Sequence, residues 1–133
     1  MESIERAFWQ LIYSAIINIT SGLGFIPAAR TPVYSATKAG MHAFSMVLRH
    51  QLLNTGIKVY EIVPPPVESE LNQEGRAKRG NFKIDLKTDE FVTSVMKDLE
   101  NEIFEIGYGM TSGLIKASRE DLDKSFQQMN SRW

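Results

Sequence analysis

The chain has 133 residues, 43% of them hydrophobic and 23% charged, with a formal charge of −1 and a pI near 6.1. That balance supplies the core of one globular domain, and nothing in it points to nucleic acid or an anionic membrane surface. The lack of cysteine excludes disulfides and thiolate metal sites and agrees with a reducing, cytoplasmic setting.

Residues 3–14, SIERAFWQLIYS, predict a helix. Ser3 can cap it, Glu5 sits in its first turn, and Ala7, Phe8, Leu11 and Ile12 recur at helical spacing. The wider stretch AFWQLIYSAIINI is interrupted by Gln10, Ser14 and Asn18 and is too short to span a bilayer. AIINI, residues 15–19, is a β-branched apolar run of the kind expected for a strand covered on both faces. The glycosylation triplet at Asn18, Ile19 and Thr20 falls within that strand, so modification there is not expected. SGLGFIPAAR then reads as loop through its two glycines and proline. Thr31 and Pro32 predict a helix start, with Thr31 as cap, running to about Asn54 and ended by Gly56. IKVYEIV, residues 57–63, is the next strand, stopped by Pro64, Pro65 and Pro66. Strand, long helix and strand make a βαβ unit with parallel strands and a right-handed crossover.

Residues 67–87 are polar and basic without a strong period, and Arg76, Lys78 and Arg79 read as a solvated loop. Thr88 is the expected cap of a helix carrying Phe91, Val92, Val95, Met96 and Leu99. EIFEIGYG, residues 102–109, predicts a third strand, and an amphipathic segment follows over roughly 113–129. The expectation is a single α/β domain over residues 1–133. His42 and His50 lack carboxylates at metal-ligand spacing and read as packing or surface residues; Phe8, Trp9 and Tyr13 read as core or interface. No metal site is expected.

The candidate chemistry lies in SGLGFIPAARTPVYSATK. Tyr34 and Lys38 stand four apart on one helical face, a turn from each other. A phenol titrates near pH 10 and is a poor base at neutrality, but an adjacent ammonium favours the phenolate and makes a usable general acid/base. Ser21 follows a strand end, where the active-site groups of parallel sheets gather, and its hydroxyl could hold a substrate oxygen. A tyrosine and lysine at this spacing also occur by chance in many helices, half-buried and solvated respectively. The serine upstream and the proline turn downstream favour the functional reading.

IINITSGLG, YSATK and IKVYEIVPPPVESEL together resemble the short-chain dehydrogenase/reductase family, in its serine strand, its YxxxK motif and its proline turn. EFVTSVMKDLENEIFEIGYG and KASREDLDKSFQQMN resemble the branch of oxidoreductases named for the D-alanyl-lipoteichoic-acid operon. The resemblance covers about residues 15–130. It implies a partial Rossmann-like, doubly wound parallel sheet of about three strands with flanking helices. It also implies an NAD- or NADP-dependent oxidoreductase acting on a carbonyl/alcohol pair of a small molecule. Tyr34 would be the acid/base and also contact the cofactor, Lys38 would bind the nicotinamide ribose, and Ser21 would orient the substrate oxygen. Val67 would offer backbone groups to the carboxamide, and Ser69 would replace the usual cofactor-contacting threonine. Pro65 stands where the family more often has glycine, and residues 70–82 would correspond to the substrate-covering loop.

The family's TGxxxGxG-type phosphate turn, its NNAG-type segment and the tetrad asparagine have no counterpart here, and Gly22 and Gly24 read as turn glycines. The chain is therefore expected to match the C-terminal half of a longer reductase, truncated on its N-terminal side. An edge strand left without its neighbour should drive association, making the chain a homo-oligomer. Met41, Phe44, Ser45, Leu48 and Leu52 form a stripe on the long helix, which in the family helps build a dimer's helical bundle; core packing is the other reading. Two functions stand open: an NAD(P)-dependent oxidoreductase, or an oligomerising, catalytically incompetent paralogue that does not hold the dinucleotide by itself.

Overall fold

The computed structural model describes residues 14–67 and 86–132. The predicted helix over 3–14 lies outside these residues apart from Ser14, and so do Ser69, the basic cluster at Arg76, Lys78 and Arg79, and the loop over 70–82. Three parallel strands form one sheet in the order β1 (Ser14–Ile19), β2 (Ile57–Val63), β3 (Glu105–Gly107). Helix α1 (Pro32–Gln51) crosses over from β1 to β2, and α2 (Thr88–Glu100) precedes β3. Two short helices, α3 (Met110–Lys116) and α4 (Arg119–Asn130), close the described fold. This is the partial Rossmann-like α/β sheet that the sequence implies.

Alternation along β2 separates its two faces. Tyr60 and Ile62 pack with Val95 and Ile106, with Phe91 and Leu99 against them, so α2 covers one side. Val59, Glu61 and Val63 are buried on the other side, where His42 of α1 meets Glu61. The sheet is thus wound by a helix on each face.

Strand β1 is not covered on both faces as its apolar run suggests. Its register pairs Ile17 with Tyr60 and Ile19 with Ile62, which turns both isoleucines to the α2 side. Among the described residues nothing reaches that far along the sheet, and Ile17 is 46% and Ile19 58% exposed. The opposite face of β1 carries Asn18 and Thr20, whose polar groups bond toward α1 and β2. The apolar run hides a polar seam.

Several helix ends differ from expectation. Thr31 is the N-cap of α1, but its side chain makes no capping bond and its Oγ1 is buried without a partner. The Thr31 carbonyl accepts the first helical bond from Ser35 N, and Pro32 at the first position carries no N–H to cap. Helix α1 stops at Gln51, with the Leu52 N–H donating to the carbonyls of Leu48 and His50. Lys87 rather than Thr88 is the N-cap of α2, because the extended Lys87 backbone lets its carbonyl accept from Phe91 N. Strand β3 starts at Glu105 rather than 102 for a related reason. Glu102 adopts φ 56°, its N–H donates to Leu99 O, and Ile103 N donates to Asp98 O, a double turn that ends α2. The C-terminal amphipathic segment is two helices, separated at Ala117 and Ser118, with Ser118 Oγ accepting from Asp121 N to cap the second.

Candidate active site at the carboxyl edge of the sheet

Strands β1 and β2 both end on one edge, and the candidate residues collect there. Ser21 lies two positions beyond the end of β1 and caps a short 3-10 turn over Gly22–Gly24, its Oγ accepting from Leu23 N at 3.2 Å. The turn lets the chain fold back onto α1. A Cβ on Gly24 would lie 3.0 Å from the Lys38 carbonyl carbon and 3.1 Å from Ala39 N. Gly24 is therefore more than a turn glycine: its bare Cα lets the serine turn press against the lysine's own backbone.

Tyr34 and Lys38 occupy the first turns of α1. The Lys38 Nζ stands 5.7 Å from the Tyr34 ring centroid and donates to the Ile19 carbonyl at 3.0 Å. The structure thus brings Lys38 to the tyrosine and to the last residue of β1, two positions before Ser21. Tyr34 is 47% exposed, and its hydroxyl bonds no described residue. Ser21 and Tyr34 are not hydrogen-bonded to each other; the serine is turned to Leu23. Val67, half-buried, follows the prolines at the end of β2, and Ser69 falls outside the described residues.

The loop between Ser21 and Tyr34 is held from two sides. The Ala28 N–H donates to Ser35 Oγ at 3.1 Å, and Ser35 is buried. Asn130, at the end of α4, accepts from Ala29 N at 2.7 Å and donates to Pro27 O at 3.0 Å. Thr111 Oγ1 donates to Val63 O at 2.7 Å, which fastens α3 to the end of β2.

Beneath this edge lie buried polar links that no local sequence pattern announces. Glu61 is 0% exposed; its Oε1 accepts from Thr20 Oγ1 at 2.8 Å, and His42 Nδ1 lies 2.8 and 3.0 Å from its two oxygens. Asn18 Nδ2 donates to Ser45 Oγ at 2.9 Å, so Ser45 of the α1 stripe is a buried polar contact. The available signal was a carboxylate at the inner end of the central strand, flanked by Tyr60 and Ile62, where burial demands a partner.

In doubly wound α/β proteins ligands bind beyond the carboxyl ends of the parallel strands, and in this chain that edge gathers hydroxyl and ammonium groups. Residues 5–80 match the family model of the short chain dehydrogenases, and the chain belongs to that family. The oxidoreductase DltE of Bacillus subtilis (strain 168), itself of uncharacterised activity, is 43% identical over 119 residues. The match covers 90% of this chain and 47% of that protein, so the chain spans about half the length of this relative. The fold resembles a short chain dehydrogenase from Burkholderia cenocepacia J2315 solved in complex with NADP, at a TM-score of 0.70 and 22% identity, over 86% of this chain and 48% of that one. It also resembles a serine dehydrogenase complexed with NADP+, at a TM-score of 0.60 and 28% identity, over 71% of this chain and 43% of that one.

Proposed function

We propose that the chain carries the proton-transfer centre of an NAD- or NADP-dependent oxidoreductase that interconverts a carbonyl and an alcohol on a small molecule. The observation that supports this most is the Lys38 ammonium, held at the Ile19 carbonyl and 5.7 Å from the Tyr34 ring. The donor set fits the ribose end of a nicotinamide dinucleotide. Among the described residues no side chain hydrogen-bonds the Lys38 ammonium or the Tyr34 hydroxyl, and Val67 follows β2 at that same edge. No glycine-rich phosphate turn occurs among the described residues, so the fit concerns that end alone.

The bound dinucleotide supplies hydride chemistry. Tyr34 Oη gives a proton to the substrate oxygen during reduction and takes it back during oxidation. Lys38 holds the ribose hydroxyls with its remaining N–H donors. Ser21 Oγ rotates from Leu23 N to donate to the substrate oxygen beside the tyrosine.

The test is reductive turnover by the parent chain and by Tyr34→Phe, with NADPH and NADH each offered. Loss of about a hundredfold or more in kcat, the size expected for a general acid, supports the assignment. Full turnover in Tyr34→Phe contradicts it.

The exposed Ile17 and Ile19 favour a further feature, a homo-oligomer in which a second copy covers this face. They also suit the second reading, a self-associating chain without dinucleotide affinity, which direct titration separates from the first.

A further inference from the structure

One buried carboxylate touches both elements that carry the candidate site. Glu61 Oε1 accepts from Thr20 Oγ1, and both of its oxygens meet His42 Nδ1. Thr20 is the residue between Ile19, whose carbonyl holds Lys38, and Ser21. His42 stands one helical turn beyond Lys38 and two beyond Tyr34, so the three share one side of α1. The carboxylate is pinned in place. Val59 and Val63 are buried on the same face of β2, and Phe25 packs on the His42 ring with centroids 4.5 Å apart.

An apolar side chain at position 61 would serve packing as well, since replacing both partners of a buried polar contact by hydrophobic groups of the same shape is often nearly neutral. What it would lack is direction. Hydrophobic contact tolerates sliding between packed elements, whereas these bonds fix a strand end and a helix face in one relation. We propose that Glu61 is a positioning residue that sets the Ser21 turn against the Tyr34 and Lys38 face of α1, through Thr20 on one side and His42 on the other. The proposal rests on the catalytic reading above for its consequence, though not for its geometry.

The experiment compares the full chain with Glu61→Gln, Thr20→Val and Thr20→Ser. Glu61→Gln keeps volume but replaces one acceptor oxygen with a donor. Thr20→Val removes one donor at constant size, and Thr20→Ser restores it. Amide hydrogen exchange is followed over residues 20–26 and 34–42, with α2 as the internal control. Reduction of 4-nitrobenzaldehyde with NADPH gives kcat and KM. Exchange in both segments should rise about tenfold in Glu61→Gln and Thr20→Val while α2 keeps its protection, a local opening. The kcat should fall about tenfold to a hundredfold with KM held within about twofold, as expected for misplaced catalytic groups. Thr20→Ser should restore both readouts.

Unchanged exchange overturns the proposal, as does a uniform rise that includes α2. Faster exchange with parental kcat also overturns it. If Glu61→Gln does not fold, the two Thr20 variants carry the comparison. A parent chain without turnover contradicts the catalytic reading instead, and the exchange data then decide the positioning role alone.

Discussion

Gly24 lies directly on the backbone of Lys38: the Cβ it lacks would fall 3.0 Å from the lysine carbonyl carbon and 3.1 Å from its oxygen. The close approach joins the turn that starts at Ser21 to the helix that carries Tyr34. Helix backbone cannot swing aside as a flexible side chain would. Gly24→Ala should therefore push the turn off α1, at a cost of about 1–3 kcal/mol measured by urea denaturation. It should also weaken dinucleotide binding, since Lys38 moves with its backbone.

Asn130 clamps the same loop from the far end of the chain, through Ala29 N and Pro27 O. Asn130→Ala removes both bonds and leaves these backbone groups to find water. A loss of about 1–3 kcal/mol is expected, with faster amide exchange at Ala29 and unchanged exchange in β2. Parental exchange at Ala29 would show that the clamp contributes nothing.

Arg49 staples α1 to the sheet. Its Nε donates to Val59 O at 2.9 Å, its two terminal nitrogens reach Glu105 and Phe104 O at 3.3 Å, and its guanidinium lies 5.8 Å from the Phe104 ring centroid. Lysine offers a point charge in place of a planar fork. Arg49→Lys should cost about 1–3 kcal/mol in denaturant unfolding, despite the retained charge.

Ile17 and Ile19 form an uncovered apolar strip beside the Tyr60 and Ile62 core. The Ile17→Thr, Ile19→Thr double variant keeps β-branched side chains but lowers the apolar area. Sedimentation should show concentration-dependent self-association of the parent and a shift toward monomer in the variant. A monomeric parent would contradict the oligomer.

Much of the fold was legible because the hydrophobic periods were clean. β2 spans the predicted residues 57–63, and α1 begins at the predicted Pro32. The YxxxK spacing likewise placed Tyr34 and Lys38 on one face, which the 5.7 Å approach bears out as geometry. What escaped the sequence depends on tertiary partners. Thr31 could not be seen to lose its capping bond, nor Glu102 to take a left-handed turn that delays β3, because both follow from how neighbouring chain packs. The Thr20, Glu61 and His42 links join residues from three elements, and no local pattern announces them.

Lys38 and Tyr34 together form the nicotinamide end of the proposed site. Fluorescence titration of the parent, Lys38→Met and Tyr34→Phe with NADH and NADPH tests this most directly. Saturable binding of at least one dinucleotide by the parent is expected, with a loss of about twofold to tenfold in Tyr34→Phe, which removes one neutral hydrogen bond, and of about tenfold or more in Lys38→Met, which removes a charge-assisted one. No saturation by the parent with either dinucleotide, or equal affinity in Lys38→Met, would contradict it.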